Sequence, residues 1–214
     1  MSLAKLMSQS SHVLASRAFL LFFASLLMIS ISIAYVASEP RPQERFLSIS
    51  TLGSNMILKD YYPTGSSTID VGDNVNWYLN VYNRMGEVEY LSVRIKLLNA
   101  TQATPESDTS YQSTEGYILE LKQIVQNNST WVVPLTWSIK DVDKKQDHIA
   151  IKNLEINGMV VDDLNIKSTG GDFRMIIELW RYDANTGDFA FDWDSKTDKR
   201  NTWNQVWFNI KQNR

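Results

Sequence analysis

Few residues in this chain have the types and spacing that chemistry requires. Of the two histidines, His12 lies in the N-terminal segment and His148 beside the charged stretch Asp141–Gln146. A histidine triad would depend on His148 alone, and no G-x-S-x-G elbow accompanies it, so His148 reads as a solvated loop residue. Asp192-Trp193-Asp194 sets two acids on one face of a strand. That is the minimum for paired-carboxylate glycoside hydrolysis, although a polar strand edge gives the same pattern. Asp183-Ala-Asn185-Thr-Gly187-Asp188 offers the alternating oxygens of a calcium loop but lacks a third acid and the distal bidentate Glu. A tight turn explains the same residues, and the same holds for Asp70, Asp73 and Asn74. There is no cysteine, which removes thiolate metal sites, dithiol redox chemistry and a cysteine nucleophile. No cofactor motif stands out.

Two further sets of residues point to binding or modification. Seven tryptophans all follow residue 76. Trp77 alternates with apolar neighbours and reads as core. Trp180, Trp193, Trp203 and Trp207 fall in the last strands. If they share an outer face they can stack on sugar rings or dock a partner, and if not they fill the space between sheets. Sequons for N-glycosylation stand at Asn99-Ala-Thr101, Asn127-Asn-Ser129 and Asn128-Ser-Thr130. Each lies at the junction of a strand and a polar loop.

The element that governs where any of these groups would work is Ala18–Ala37, an apolar run without charge, proline or amide. As a helix it spans about 30 Å, the thickness of a bilayer's hydrocarbon core. Its serines can bond to their own helix backbone. The segment 1–17 carries Lys5 and Arg17 and no acid, whereas the flank 38–45 is balanced. The positive-inside rule therefore predicts a cytoplasmic tail at 1–17, a membrane span at 18–37 and a Pro-containing spacer at 38–45, followed by an extracytoplasmic domain at 46–214. A signal peptide cleaved after Ser38 is the rival reading, but the apolar run is longer than the usual signal core. Both readings export the domain. Its net charge is −5 with no basic block, which argues against nucleic acid as a partner.

The exported part reads as short strands with period-two alternation. Phe46–Leu52 comes first. Val75, Trp77, Leu79 and Val81 face one way in the next long strand, against Asn76, Tyr78, Asn80 and Tyr82. The turn at Arg84–Glu87 leads into Tyr90–Leu98, and the two runs predict an antiparallel hairpin with one wet face. Tyr117–Val125 fits either a strand or a short helix. Trp131–Ile139 is a strand in which Pro134 marks an edge or a bulge. Asn157-Gly158 predicts a type I′ hairpin turn between Ile149–Ile156 and Met159–Ile166. In the last third, Phe173, Met175, Ile177 and Leu179 face inward, and Trp203–Ile210 closes the domain. About eight to ten such strands predict an all-β fold, an immunoglobulin-like antiparallel β-sandwich behind a single N-terminal transmembrane helix.

Three groups of stretches carry a family resemblance: LGSNMILKDYYPTGSSTIDVGDNVNWYLNVYNRMGEVEYLSVRIKLLN at Leu52–Asn99, NSTWVVPLTWSI at Asn128–Ile139, and the terminal FRMIIELWRYD and WNQVWFNI. Over about Glu44–Ile210 the chain resembles an uncharacterised archaeal membrane and cell-surface family catalogued as domain of unknown function 1616. The resemblance implies an archaeal cell-surface domain and supplies no catalytic residues. Members usually carry several membrane helices before the domain, and this chain has one.

Three readings follow. The first is a membrane-anchored, non-catalytic binding or assembly domain whose partner is another membrane or surface-layer protein. The second is a carbohydrate-binding module using the late tryptophans. The third is a hydrolase using Asp192 and Asp194.

Overall fold

The computed structural model describes residues 3–39, 44–106, 111–169, 171–191 and 201–211. The chain divides into two units, Met1–Gln43 and Glu44–Arg214. The first is one helix, α1 (Leu3–Ser38), which continues upstream of the apolar run. Within it, Arg17–Ser38 has a mean hydropathy of 2.4 and is long and apolar enough to cross a membrane. Ser25, Ser30 and Ser32 donate to the carbonyls of Phe22, Leu26 and Met28 at 2.8–2.9 Å. The hydroxyls are thereby satisfied inside their own helix, as hydrocarbon surroundings demand.

The second unit is an antiparallel β-sandwich. In chain order its strands are β1 (Phe46–Leu52), β2 (Thr68–Ile69), β3 (Val75–Arg84), β4 (Glu89–Asn99), β5 (Leu119–Val125), β6 (Ser129–Lys144), β7 (Ile149–Ile156), β8 (Met159–Val161), β9 (Ile166–Ser168), β10 (Asp172–Asp183), β11 (Asp188–Ala190) and β12 (Thr202–Ile210). One sheet runs β1-β3-β6-β7-β8, with β9 also on β7; the other runs β2-β12-β10-β4-β5, with β11 on β10. We call them the first and second sheets. Strands β1, β3 and β6 opposite β12, β10, β4 and β5 give the immunoglobulin-like order. The leading segment is split between the sheets, because β2 pairs in parallel with β12. The flank beside β6 differs: β7, which follows β6 in the chain, occupies it.

The inner faces carry the apolar set read from the alternation, including Val75, Trp77, Leu79, Val81, Phe173, Met175, Ile177 and Leu179. Aromatic rings bridge the sheets. Trp77 lies edge-on to Trp137 at 5.2 Å, Trp137 meets Phe208 at 5.0 Å, and Phe208 stacks on Phe173 at 5.7 Å. Edge and offset ring contacts of this kind add to the burial energy of large side chains. They hold the two sheets together in a chain without cysteine.

One pairing departs from the sequence expectation. β3 and β4 do not form a hairpin, because β3 pairs with β1 and β6 while β4 pairs with β10 and β5. Residues 85–88 cross between the sheets, held by the fully buried Asn83. Its amide donates to the carbonyls of Glu87 and Val125 and accepts the amide hydrogen of Met85, all at 2.9 Å. Alternation shows which residues face inward but not which sheet they belong to. Residues 117–125 resolve as strand, in β5. Pro134 lies in β6 opposite Tyr78, below Trp137, where the pairing with β7 stops. The missing N–H therefore costs no ladder bond on that side. Asn157 and Gly158 both have positive φ, 47° and 78°, as a type I′ turn requires.

Candidate functional site

The residues singled out by type fall in different places. Asp183 accepts from the backbone N–H and side-chain amide of Asn185 through Oδ1, at 2.9 and 3.0 Å. Asp188 Oδ1 accepts from the N–H of Phe189. These oxygens build the turn between β10 and β11. Asp73 accepts the N–H of Asp70, whose carboxylate meets Lys211 at 3.3 Å. Among the described residues no group of three or more His, Cys, Asp or Glu is placed to hold a metal ion. His148 Nδ1 lies 2.8 Å from Asp147, and that hydrogen bond draws the Asp147 carboxyl below its ordinary range. Asp192, Trp193 and Asp194 lie outside the described residues.

The three sequons are not equivalent. Asn99 donates its amide to the carbonyl of Lys167 and accepts from Thr101 and Gln102. Asn127 accepts from the N–H of Gly86. Asn128 is exposed, with φ 57° in the turn before β6.

Trp180, Trp203 and Trp207 all point to the outer side of the second sheet, since their register partners are Ser92, Glu178 and Arg174. The middle of this side is covered by the chain itself, while Trp207 and Ile124 nearer its margins are exposed. Trp180 is 6% exposed and lies between the Arg94 guanidinium, 3.9 Å above its ring, and Phe191. Beside it, Lys96 and Glu178 form a buried ion pair at 3.0 Å. Lys96 donates to the Ser113 carbonyl at 2.6 Å, and the Ser113 N–H donates to Glu178 at 2.9 Å. Trp180 Nε1 donates to the other Glu178 oxygen at 3.0 Å. The connection between β4 and β5 is thus clasped to the sheet through Ser113, which bonds both members of the ion pair. At the margin, Glu120 takes Arg94 at 2.8 Å, Lys122 at 2.7 Å and Ser92 at 3.0 Å. Burial pushes the Glu120 carboxyl up, but those three hydrogen bonds and the Arg94 charge outweigh it and hold the group below its ordinary range. Nearer the β12 end of this face, burial lowers the Arg174 guanidinium, which lies over the exposed ring of Trp207 and donates to the Gln102 carbonyl. The outward positions Ser92, Lys96, Arg174, Glu178 and Trp180 of β4 and β10 include charges, yet they are buried as a second interior.

The outer side of the first sheet is built differently. From β1 it presents Phe46, Ser48 and Ser50; from β3, Asn76, Tyr78, Asn80 and Tyr82; from β6, Thr130, Val132, Pro134 and Thr136. None of these side chains is buried and none is charged; Arg84, at the end of β3, adds a charge to this side, with its guanidinium 5.8 Å over the Phe46 ring. Tyr, Ser, Asn and Thr combine rigid amphipathic rings with adaptable hydrogen-bonding groups, the composition that binding surfaces favour.

At one end this face runs into a cleft of about 380 Å³ lined by Ser54, Asn55, Asp60, Tyr61, Tyr62, Pro63, Gly65, Asn74 and Asn76. Its wall is the loop between β1 and β2. Gly53 starts the loop where no side chain fits, because an added Cβ would meet the Lys59 carbonyl oxygen at 2.0 Å. Met56 and Asp60 both stand at φ 59°, a conformation that costs a non-glycine residue about 1–2 kcal/mol. The two tyrosines are fixed by their neighbours. Tyr61 OH donates to the Thr51 carbonyl at 3.0 Å, and its own carbonyl accepts Trp77 Nε1 at 2.7 Å. Tyr62 OH donates to the Trp207 carbonyl. Burial, with a smaller contribution from Tyr61, pushes the Tyr62 phenol up, so it stays a neutral donor. The alternating Asn and Tyr of β3 were legible as a wet face. The cleft was not, because it depends on how residues 53–65 fold back beside Asn74 and Asn76.

No family model matches the sequence, and no curated protein matches it. Among solved structures the second unit is similar to the CARDB domain of a Pyrococcus furiosus protein crystallised with di-metal ions. Identity is 9%, the match covers 81% of this chain and 95% of that one, and the TM-score is 0.39. It is also similar to a FixG-related protein from Vibrio parahaemolyticus, at 10% identity, 78% and 97% coverage and a TM-score of 0.31.

Proposed function

We propose that this chain is a membrane-anchored, extracytoplasmic binding or assembly domain, a non-catalytic accessory subunit that docks on another membrane or surface-layer protein through the outer face of its first sheet. One observation carries the reading. The second sheet covers the middle of its polar outer face, around Lys96, Glu178 and Trp180, with its own chain, whereas the first leaves a Tyr/Asn/Ser/Thr face, with Arg84 at one end, without such cover. The apolar stretch Arg17–Ser38 supports the anchor, and the basic excess before it supports a cytoplasmic N-terminus. Membership of the archaeal family that the domain resembles belongs to the same proposal, supported by stretches that lie on β3, β4, β6, β10 and β12. Glycosylation at Asn128 also belongs to it, supported by the exposure of that sequon.

The test is the mass of the chain extracted from native membranes in a mild detergent. The expected result is a particle well above the 24.6 kDa of one chain, reduced to the monomer by Val132→Glu, which puts a charge on the open face. A monomer without the substitution would count against the proposal.

A further inference from the structure

We infer that the cleft between the β1–β2 loop and the start of β3 is a binding site for a neutral glycan. The inference rests on the proposed export of the domain, which puts the cleft where glycans are found, and of its lining residues only Asn76 also belongs to the docking face. Its volume of about 380 Å³ falls at the lower end of small-ligand sites, roughly 300–1,000 Å³.

The lining chooses among ligand classes. No lysine, arginine or histidine lines the cleft, so nothing there compensates a phosphate or carboxylate. Its one carboxylate, Asp60, accepts from the Asn55 amide at 3.2 Å, and a single acid is a poor cation site. Besides Pro63 and Gly65, what remains are three asparagine amides, the Ser54 hydroxyl and the rings of Tyr61 and Tyr62. Each amide both donates and accepts, as each sugar hydroxyl does. Asn76 accepts from Thr136 at 2.8 Å through its oxygen, which leaves its two N–H donors for a ligand. Both phenol hydroxyls are engaged by backbone carbonyls away from each other, at Thr51 and Trp207. The rings are therefore held in place and can offer apolar surface to the C–H side of a pyranose. The ordered loop, with Met56 and Asp60 held at positive φ, lowers the entropy cost of binding by pre-forming the wall.

The experiment uses the full chain in phosphatidylcholine nanodiscs, since sugar-headed detergents would compete. Maltotriose, cellotriose, mannotriose and chitotriose are titrated separately, with saturation-transfer NMR and calorimetry as readouts. At least one should saturate below about 10 mM. The Asn74→Ala/Asn76→Ala variant should weaken that binding roughly tenfold or more, with the thermal midpoint unchanged. Asn74→Asp, which removes a donor while nearly keeping the shape, should weaken it as well. Val132→Glu should leave it intact, which separates this site from the docking face: loss of sugar binding alone would leave the docking proposal standing. The inference is overturned if none of the four saturates, if the asparagine variants bind as the parent does, or if glucose 6-phosphate binds more tightly than glucose.

Discussion

The two outer faces of this sandwich solve opposite problems. On the second sheet, Lys96, Glu178, Arg94 and Arg174 stand at positions that alternation assigns to solvent, and the chain returns over most of them. Burying such charges is costly unless each finds a partner, which is why Ser113, Trp180, Ser92 and Glu120 are placed where they are. On the first sheet, Asn76, Tyr78, Asn80 and Tyr82 stand at the same kind of positions, uncharged and at most half-buried. A polar side chain at an outward position therefore means different things on the two sheets. On one it clamps a loop, and on the other it stays at the surface, where we propose that a partner docks.

Substitutions can break this contrast. The largest effect is expected at the clamp. Lys96→Met leaves Glu178 buried without its cation and should cost about 3–5 kcal/mol, a fall of about 10 °C in thermal midpoint for a domain of this size. Glu120 gives a smaller, pH-dependent effect. Its folded pKa is depressed, so its contribution is present above the unfolded value of about 4.3 and is lost as pH falls through the lower folded value. Urea midpoints from pH 6 to pH 3 should therefore fall more steeply for the parent than for Glu120→Gln. On the open face, Val132→Glu should move stability by no more than about 0.5 kcal/mol, measured by the same urea unfolding, while abolishing association. A cost of several kcal/mol there would mean that the face is as tightly built as the other. The smallest effect concerns the sequons. Peptide mass spectrometry of material from native membranes should find a glycan at Asn128 and none at Asn99, whose amide is committed to Lys167.

The period-two pattern carried most of the fold. It placed Phe46–Leu52 as β1 and put Trp77 in the core, and turn chemistry marked Asn157-Gly158. It could not place the partners of a strand. The turn after Asn83 reads as a hairpin by composition, but the buried amide of Asn83 directs the chain to the other sheet. Nor could it separate covered from open outward faces. Trp180 and Tyr82 alternate with apolar neighbours in the same way, and long-range contacts distinguish their surroundings: Arg94 and Phe191 on Trp180, and Ser113 on the neighbouring Lys96 and Glu178. The cleft was illegible for the same reason, since its walls come from segments on either side of β2.

The central claim, that the bare face of the first sheet is a contact surface, is tested most directly by tyrosine footprinting of the chain in native membranes and in isolated form. Tyr78 and Tyr82, which lie on that face, should label readily in the isolated protein and be protected in the membrane. Tyr111, 70% exposed and not on that face, should label equally in both. Equal labelling of all three in both states would contradict the account.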